Sequence, residues 1–447
     1  MSATSSPITR KDLDRLAVPA IIAGIAEPVI SLVDTAFVGS LGTADLAAVG
    51  IASSFFLLVV WTLAQTRSAV LAVVARFYGR DRLDDVKDLV PIAIWMNFLL
   101  GFVFFAITNY FAEGIFRMYN AEGEVLSKAV EYYHVRSFGH PMVLATFAMT
   151  GAFRGIQNLS WSMWISIVGA LVNGALNPVL IFGFGPIAAM GMVGSAWASL
   201  FAQVVMFVMA IWIMRNRTPF SFFPKKWKHP QLWNLWRLSG NLFARTIALN
   251  TCYYLGNRYA TGYGEAYIGA HSIAMQIWLF SAFFIDGYAA AGSVLIGRLN
   301  GERNWTDLYR VAWQVVRMSV IIGGALSLLY LIGYPFIGGV FTNDKAVLTL
   351  FQAVFWMVII TQPINAVAFA FDGVYKGLGA GKILRNVLLI STAVCFIPVI
   401  MGTNHLGWKL FSVWTAFLLW MIARGGLLAV HFEKRYGKRK NAVARTV

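Results

Sequence analysis

Residues 19–39 read PAIIAGIAEPVISLVDTAFVG, a run of about twenty mostly apolar residues that carries two acids, Glu27 and Asp34. The run is long enough to cross a bilayer as a helix. A carboxylate in hydrocarbon costs about 2.5–3.5 kcal/mol on insertion scales, so two in one span must face something other than lipid. Glu27 and Asp34 are seven residues apart. At 3.6 residues per turn that spacing returns to nearly the same helix face, roughly 10 Å further along the axis. The stretch therefore predicts a membrane helix with an acidic stripe turned toward a bundle interior or a wet cavity. Pro19 and Pro28 each remove a backbone hydrogen bond, which gives this helix two points at which it can bend.

Working outward, the whole chain shares this character. Its 447 residues are 58% hydrophobic and only 13% charged, with a mean hydropathy of +0.66. Soluble domains carry about 25% charged residues. No polar block is long enough to form a soluble domain. Apolar runs of spanning length fall at 15–38, 48–75, 90–111, 131–153, 162–184, 189–214, 236–259, 267–296, 308–332, 350–374, 384–402 and 408–431. The expectation is an all-α polytopic membrane protein of twelve helices.

The net charge of +16 sits mostly in short connecting segments. Alternate segments carry Arg10, Lys11 and Arg15; Arg76, Arg80, Arg82 and Lys87; Arg154; Arg215 to Arg237; Arg298, Arg303 and Arg310; Lys376, Lys382 and Arg385; and a basic tail from Arg424. The segments between them hold only Arg117, Lys128, Lys345 and Lys409. This asymmetry sets topology with both termini in the cytoplasm, and it argues against a nucleic-acid partner. The polar start MSATSSPITRKDLDR has no cleavable signal pattern, and the first span is expected to insert by itself. Cys252 and Cys395 both lie in apolar runs, which excludes a disulfide framework or a cysteine metal site.

The segment RNRTPFSFFPKKWKHPQLWNLWR, with three prolines, divides the chain into an N-lobe (1–214), a linker (215–235) and a C-lobe (236–447) of six helices each. The halves resemble one another at a constant offset of 222. ARFYGR (75–80) matches GRLNGE (297–302), and GHPMVLATFAMTGAFRG (139–155) matches TQPINAVAFAFDGVYKG (361–377). In these blocks Arg76 falls on Arg298, Pro141 on Pro363, Gly151 on Gly373 and Gly155 on Gly377. Six helices per half give both halves one topology. Repeats of that kind place a substrate site near the midplane and alternate access by moving one half against the other.

Asn173 and Asn177 are four residues apart in the fifth span, hence on one face. Each amide offers both donors and acceptors. They serve either as interhelical glue or as a network that stabilises Asp34 alternately charged and neutral. Burial favours the neutral form of a carboxyl group and exposure to water the charged form. A carboxyl exposed differently in two conformations therefore couples proton binding to their equilibrium. Glu27 has two readings, a second functional acid or an ion pair with Arg67 or Arg136. In the second half the intramembrane charges are Arg245, Arg258, Asp286 and Asp372. Mutual pairing is the favoured reading, and attraction of a cationic substrate by Asp286 or Asp372 is the other. Tyr253, Tyr254, Trp278, Phe283 and Phe284 are candidates for lining an aromatic cavity for flat cations. His140 and His271 have no partner at metal-ligand spacing and read as structural. GLGAGK (377–382) lacks the phosphate-loop frame. With no ATPase signature and no clustered histidines and acids for catalysis, the chain reads as a carrier driven by an ion gradient rather than an enzyme.

These residues also resemble a known family. LVDTAFVG (32–39) with LGTADLAAVG (41–50), NGALNPVLIFG (173–183) and GMVGSAWAS (191–199) look like the multidrug and toxic compound extrusion (MATE) transporters. IDGYAAAGSVLIGRLNGE (285–302) and FDGVYKGLGAG (371–381) resemble its DinF-like branch. The resemblance covers nearly the whole chain. It implies a twelve-helix antiporter in two six-helix lobes that expels organic, often cationic, compounds in exchange for H⁺ or Na⁺, with H⁺ the commoner assignment in that branch. It places the family's functional helix-1 acid on Asp34, its bending proline on Pro19, its helix-5 polar pair on Asn173 and Asn177, and a helix-6 threonine position on Ser199. The second member of the pair is often Asp in the family and is Asn here, which removes a titratable group. The expected coupling set is Asp34, Asn173, Asn177, Ser199 and Glu27. Arg245, Tyr253, Trp278, Asp286 and Asp372 form a candidate substrate cavity or charge network. The expected partners are small organic molecules and the lipid bilayer, with no cofactor beyond the coupling ion. The protein is expected in the inner membrane and as a monomer. A lipid-linked precursor flippase of the wider superfamily is the competing carrier. The count of twelve spans and the acidic first lobe argue against it, while Arg67, Arg136 and Arg245 argue for it.

Overall fold

Apolar spans that satisfy their backbone polar groups internally must be helical in a bilayer, and helices are what the chain forms. The computed structural model describes residues 8–438; within the first helix the side chains of residues 27–29 and 31–32 lie outside the description. Among the described residues twelve long helical elements follow one another. They are α1 (Arg10–Gly39), α2 (Thr43–Tyr78, interrupted between Leu63 and Thr66), α3 (Leu89–Tyr110) and α4 (Gly123–Arg136 continued by Gly139–Gly155). α5 (Ser160–Phe182) and α6 (Gly191–Arg217) complete the first six. The second six are α7 (Leu232–Gly262), α8 (Glu265–Glu302), α9 (Trp305–Ile332), α10 (Lys345–Gly377), α11 (Gly381–His405) and α12 (Leu410–Phe432). One isolated bridge, Phe184 with Ile187, is the only extended pairing among the described residues.

Nine of these elements are long and apolar enough to cross a membrane by length and composition, counting described residues only. The other three are α1, α4 and α7. α1 opens on the charged turn RKDLDR, α4 is split at Ser137 and Phe138, and α7 carries Arg237, Arg245 and Arg258. The helical assignment of α1 runs unbroken through Pro19 and Pro28.

The offset seen in the sequence recurs in the fold. α1 and α7, α2 and α8, and α4 and α10 each begin 222 residues apart, as do the short helices Ala112–Met118 and Tyr334–Ile337. The packing repeats too. A Cβ on Gly151 in α4 would lie 2.5 Å from the carbonyl oxygen of Arg67 in α2. Its counterpart Gly373 in α10 is closer still to the carbonyl of Ala289 in α8, the residue equivalent to Arg67. Likewise Gly101 in α3 would meet Pro141 Cα at 2.6 Å, and Gly323 in α9 would meet Pro363 Cα at 3.0 Å. Glycine at these four crossings lets helix backbones touch, which is how membrane helices gain dispersion contact without a hydrophobic driving force.

The chain divides into two compact units, Ile22–Trp236, and Met1–Ile21 with Arg237–Val447. The division differs from the expected 1–214, 215–235 and 236–447 in two respects. The described start of α1 goes with the second unit, because Tyr288 donates a 2.7 Å hydrogen bond to Asp14 Oδ1 and Ile21 fills the space left by Gly287. The linker goes with the first, because Trp95 Nε1 donates to the Phe222 carbonyl at 3.1 Å and His229 Nε2 to that of Asp85 at 2.8 Å. In the second unit, Trp278, Trp414, Trp420, Phe351, Phe355 and Phe417 are buried in the core. In the first, Phe56, Phe116, Tyr132 and Tyr133 pack against Val38, Ala48 and Ala196.

Candidate functional site

In the first unit, α1, α5 and α6 bring four polar side chains into one closed ring. Asn177 Nδ2 donates to Asp34 Oδ1 at 2.5 Å and to Asn173 Oδ1 at 3.1 Å. Asn173 Nδ2 donates to Ser199 Oγ at 3.1 Å, and Ser199 Oγ donates to Asp34 Oδ2 at 3.2 Å. The local sequence explains the assembly. The four-residue spacing of the asparagines sets both amides on one face of α5, and Asp34 lies one turn before the end of α1 at Gly39. All four side chains are buried, Asn173 and Asn177 completely and Asp34 to 8% exposure. Two different groups donate to the two carboxylate oxygens, which is the arrangement that supports a charged carboxylate away from water. One atom of the ring remains open. Asn177 Oδ1 is buried and has no hydrogen-bond partner.

A second layer flanks the ring. Tyr132 in α4 is buried, with its hydroxyl 3.3 Å from Ser53 Oγ of α2. One turn on, the Arg136 guanidinium lies 3.8 Å over the Phe56 ring, and its Nη1 is buried without a hydrogen bond. Arg67 lies 4.9 Å over Phe147. The side chains of Glu27 and Pro28 lie outside the described residues, so the expected pairing of Glu27 with Arg67 or Arg136 does too. Pro19 is described and buried. His140 is buried, 3.0 Å through Nε2 from the Tyr133 hydroxyl and stacked on Phe56 at 4.4 Å.

The second unit has a charge cluster of different design. Asp372 in α10 meets Arg245 in α7 through two hydrogen bonds, Nε to Oδ1 at 3.0 Å and Nη2 to Oδ2 at 2.8 Å. Arg424 Nη2 in α12 adds a 3.0 Å bond to Oδ1, and Lys376 Nζ lies 2.8 Å from Oδ2. A carboxylate has about four acceptor positions, and Asp372 uses all of them on these three cations. It therefore has no acceptor position left to offer a substrate cation. Asp286 in α8 differs. It is solvent-accessible, and no ion pair or hydrogen bond is formed by its carboxylate among the described residues. Arg258 is exposed and outside the cluster.

The aromatic candidates separate in the same way. Trp278 is 1% exposed, edge-on to Tyr253 at 6.1 Å and packed between Phe369 and Phe417. It belongs to the core and lines no open face. Tyr254 is 62% exposed, and Tyr253, Phe283 and Phe284 are half-buried. His271 is buried against Trp414 and Phe417. Sequence reasoning missed Arg424 by assigning it to the basic tail, whereas it is 1% exposed on Asp372. The signal was available, since Arg424 lies inside the apolar run FLLWMIARGGLLAV.

The sequence model of the family described as MatE matches residues 19–179 and 242–401, which are the two repeats. The chain belongs to the MatE family. Its curated relatives include Protein DETOXIFICATION 42 of Arabidopsis thaliana, 25% identical over 473 residues covering 93% of this chain and 90% of the relative. A probable multidrug resistance protein NorM of Xanthomonas campestris is 23% identical over 430 residues, covering 94% and 93%. Among solved structures, a MATE crystal structure in the bent conformation superposes with a TM-score of 0.89 at 20% identity over 97% of each chain. A MATE transporter in an outward-facing conformation does so with 0.88 at 19% identity, covering 98% of this chain and all of the other. These likenesses establish the twelve-helix fold of the family. MatE proteins are multi-pass membrane transporters of small molecules, not enzymes.

Proposed function

We propose that this MatE protein is a proton-coupled antiporter that exports organic cations, with the Asp34 ring as its coupling site. It works as a monomer in the inner membrane with both termini in the cytoplasm. The observation that carries the reading is the closed ring around Asp34 on α1, α5 and α6. Its chemistry suits a proton. Charged Asp34 is held by an amide and a hydroxyl donor. Once protonated, it needs an acceptor, and the free Asn177 Oδ1 supplies one after rotation of the amide. Both protonation states can then be satisfied by one set of side chains. A change of protonation redistributes the hydrogen bonds of the ring, and each form can favour a different conformation of the helices that carry it.

A second reading rests on the same open atom. The carboxylate, two amide oxygens and a hydroxyl are hard oxygen donors of the type that coordinate Na⁺ between transporter helices. Transport in vesicles with one gradient at a time separates the two. Uptake of a fluorescent organic cation into vesicles is expected when a pH gradient alone is imposed, and its loss when the gradient is collapsed. A sodium gradient alone is expected to drive none. Uptake driven by sodium and indifferent to pH would reverse the assignment.

A further inference from the structure

The linker between α6 and α7 has an electrostatic property that the antiport reading does not use. No acidic residue occurs between Glu131 and Glu265. Within that interval Arg215, Arg217, Lys225, Lys226 and Lys228 are all exposed. None of them forms an ion pair among the described residues, whereas the segments 82–87 and 298–310 each pair cations with nearby acids. Arg82 pairs with Asp85 at 2.5 Å, Arg298 with Glu302 at 2.7 Å, Arg310 with Asp307 at 2.7 Å, and Lys87 with Asp84. The linker is thus a cationic surface without internal counter-charge. A bias of basic residues toward one side of the membrane sets topology, but it does not require five exposed cations in one segment with no acid beside them.

Aromatic residues interleave with these cations. Phe223, Trp227, Trp233 and Trp236 are 65, 58, 73 and 45% exposed. Indole rings gather at headgroup depth, where one edge is apolar and the other wet. The linker is also held in place. Trp95 stacks on Phe223 at 5.5 Å and donates to the Phe222 carbonyl, and His229 is tied to Asp85. Pro219, Pro224 and Pro230 restrict its backbone. Arg215 and Arg217 close α6, and Trp233 and Trp236 lie on the first turns of α7, so the connection is anchored in a helix at each end. A tethered basic connection with tryptophans on it and on the helix that follows matches an anionic phospholipid headgroup in charge, with the acyl chains beside the indoles.

We propose that the 215–236 linker is a binding surface for anionic phospholipid, with Lys225, Lys226 and Lys228 contacting the headgroup phosphate and Trp227 and Trp233 seated at the interface. The test uses purified full-length protein in phosphatidylcholine vesicles containing a trace of spin-labelled phosphatidylglycerol or spin-labelled phosphatidylcholine. The fraction of motionally restricted label reports lipid held at the protein. The wild type is expected to hold the anionic label several-fold better than the zwitterionic one, and this preference is expected to fall as ionic strength rises. The triple change Lys225→Gln, Lys226→Gln, Lys228→Gln is expected to remove at least half of the preference. The pair Arg82→Gln, Lys87→Gln, whose cations are already neutralised, is expected to leave it intact. Inorganic phosphate added at constant ionic strength is expected to compete poorly. Three results would overturn the proposal: no preference in the wild type, a preference unchanged in the triple variant, or displacement by free phosphate, which would make the surface a soluble-anion site. If the triple variant does not fold, the single changes Lys225→Gln and Lys228→Gln carry the test: each is expected to lower the preference, and a preference unchanged in both would overturn the proposal.

Discussion

Asp34→Asn is expected to reduce efflux to the level of vesicles without protein while leaving the fold intact. The substitution is nearly isosteric. The introduced amide oxygen still accepts from Asn177 Nδ2, and the introduced amide nitrogen donates to Ser199 Oγ in place of the present bond from Ser199 to Asp34. The ring stays hydrogen-bonded, and the change in stability should be no more than about 1 kcal/mol, the scale of a single net hydrogen bond. The group that can gain and lose a charge is gone. Its loss cannot be made good within the ring, because Asn173, Asn177 and Ser199 do not titrate. Normal expression and thermal stability together with abolished export of a fluorescent cation is the expected pair of results. Undiminished export would remove Asp34 from the mechanism.

Asp372→Asn is expected to have the opposite profile, a large loss of stability. Asp372 is the only carboxylate that bonds Arg245, Arg424 and Lys376 among the described residues, and Arg245 and Arg424 are 7 and 1% exposed. Breaking a buried pair by removing one partner costs about 3–5 kcal/mol, because a charge is left without compensation. Here three cations lose one carboxylate, so the upper part of that range applies. The measurement is the thermal midpoint of the detergent-solubilised protein. A second change, Arg424→Met, should restore part of the loss by removing one orphaned charge. Neutral behaviour of Asp372→Asn would mean that Asp286, three residues from Ala289 on α8, already compensates the cluster.

The contrast between the two units explains what was legible in the sequence. The parts of the ring were readable one by one, while their meeting across α1, α5 and α6 was implied only by the family resemblance. The asparagines share a face by spacing, Asp34 is an acid in an apolar span, and Ser199 lies in the motif that opens α6. The repeat was readable because the offset of 222 survives without gaps from α1 to α10, and the close glycine crossings follow it. The partners of Asp372 were less so. Arg245, Lys376 and Arg424 come from α7, α10 and α12, and only packing decides which of several intramembrane cations reach it. The place of Trp278 was open in the sequence for a related reason. An aromatic residue in a membrane helix faces core, lipid or cavity according to helix rotation, and α8 turns Trp278 into the core with Phe369 and Phe417. The ring has no counterpart in the second unit. The positions 222 residues after Asp34, Asn177 and Ser199 are Gly256, Val399 and Met421. The two lobes thus keep the packing of the repeat while differing in their buried polar chemistry.

The most direct test of the coupling role of Asp34 is proton release on substrate binding, followed with a pH dye in weakly buffered detergent solution. The wild type is expected to release protons as an organic cation is added, saturating with binding, and Asp34→Asn to bind the cation with no release. Equal release from both proteins would contradict the account, because the exchanged proton would then come from a group other than Asp34.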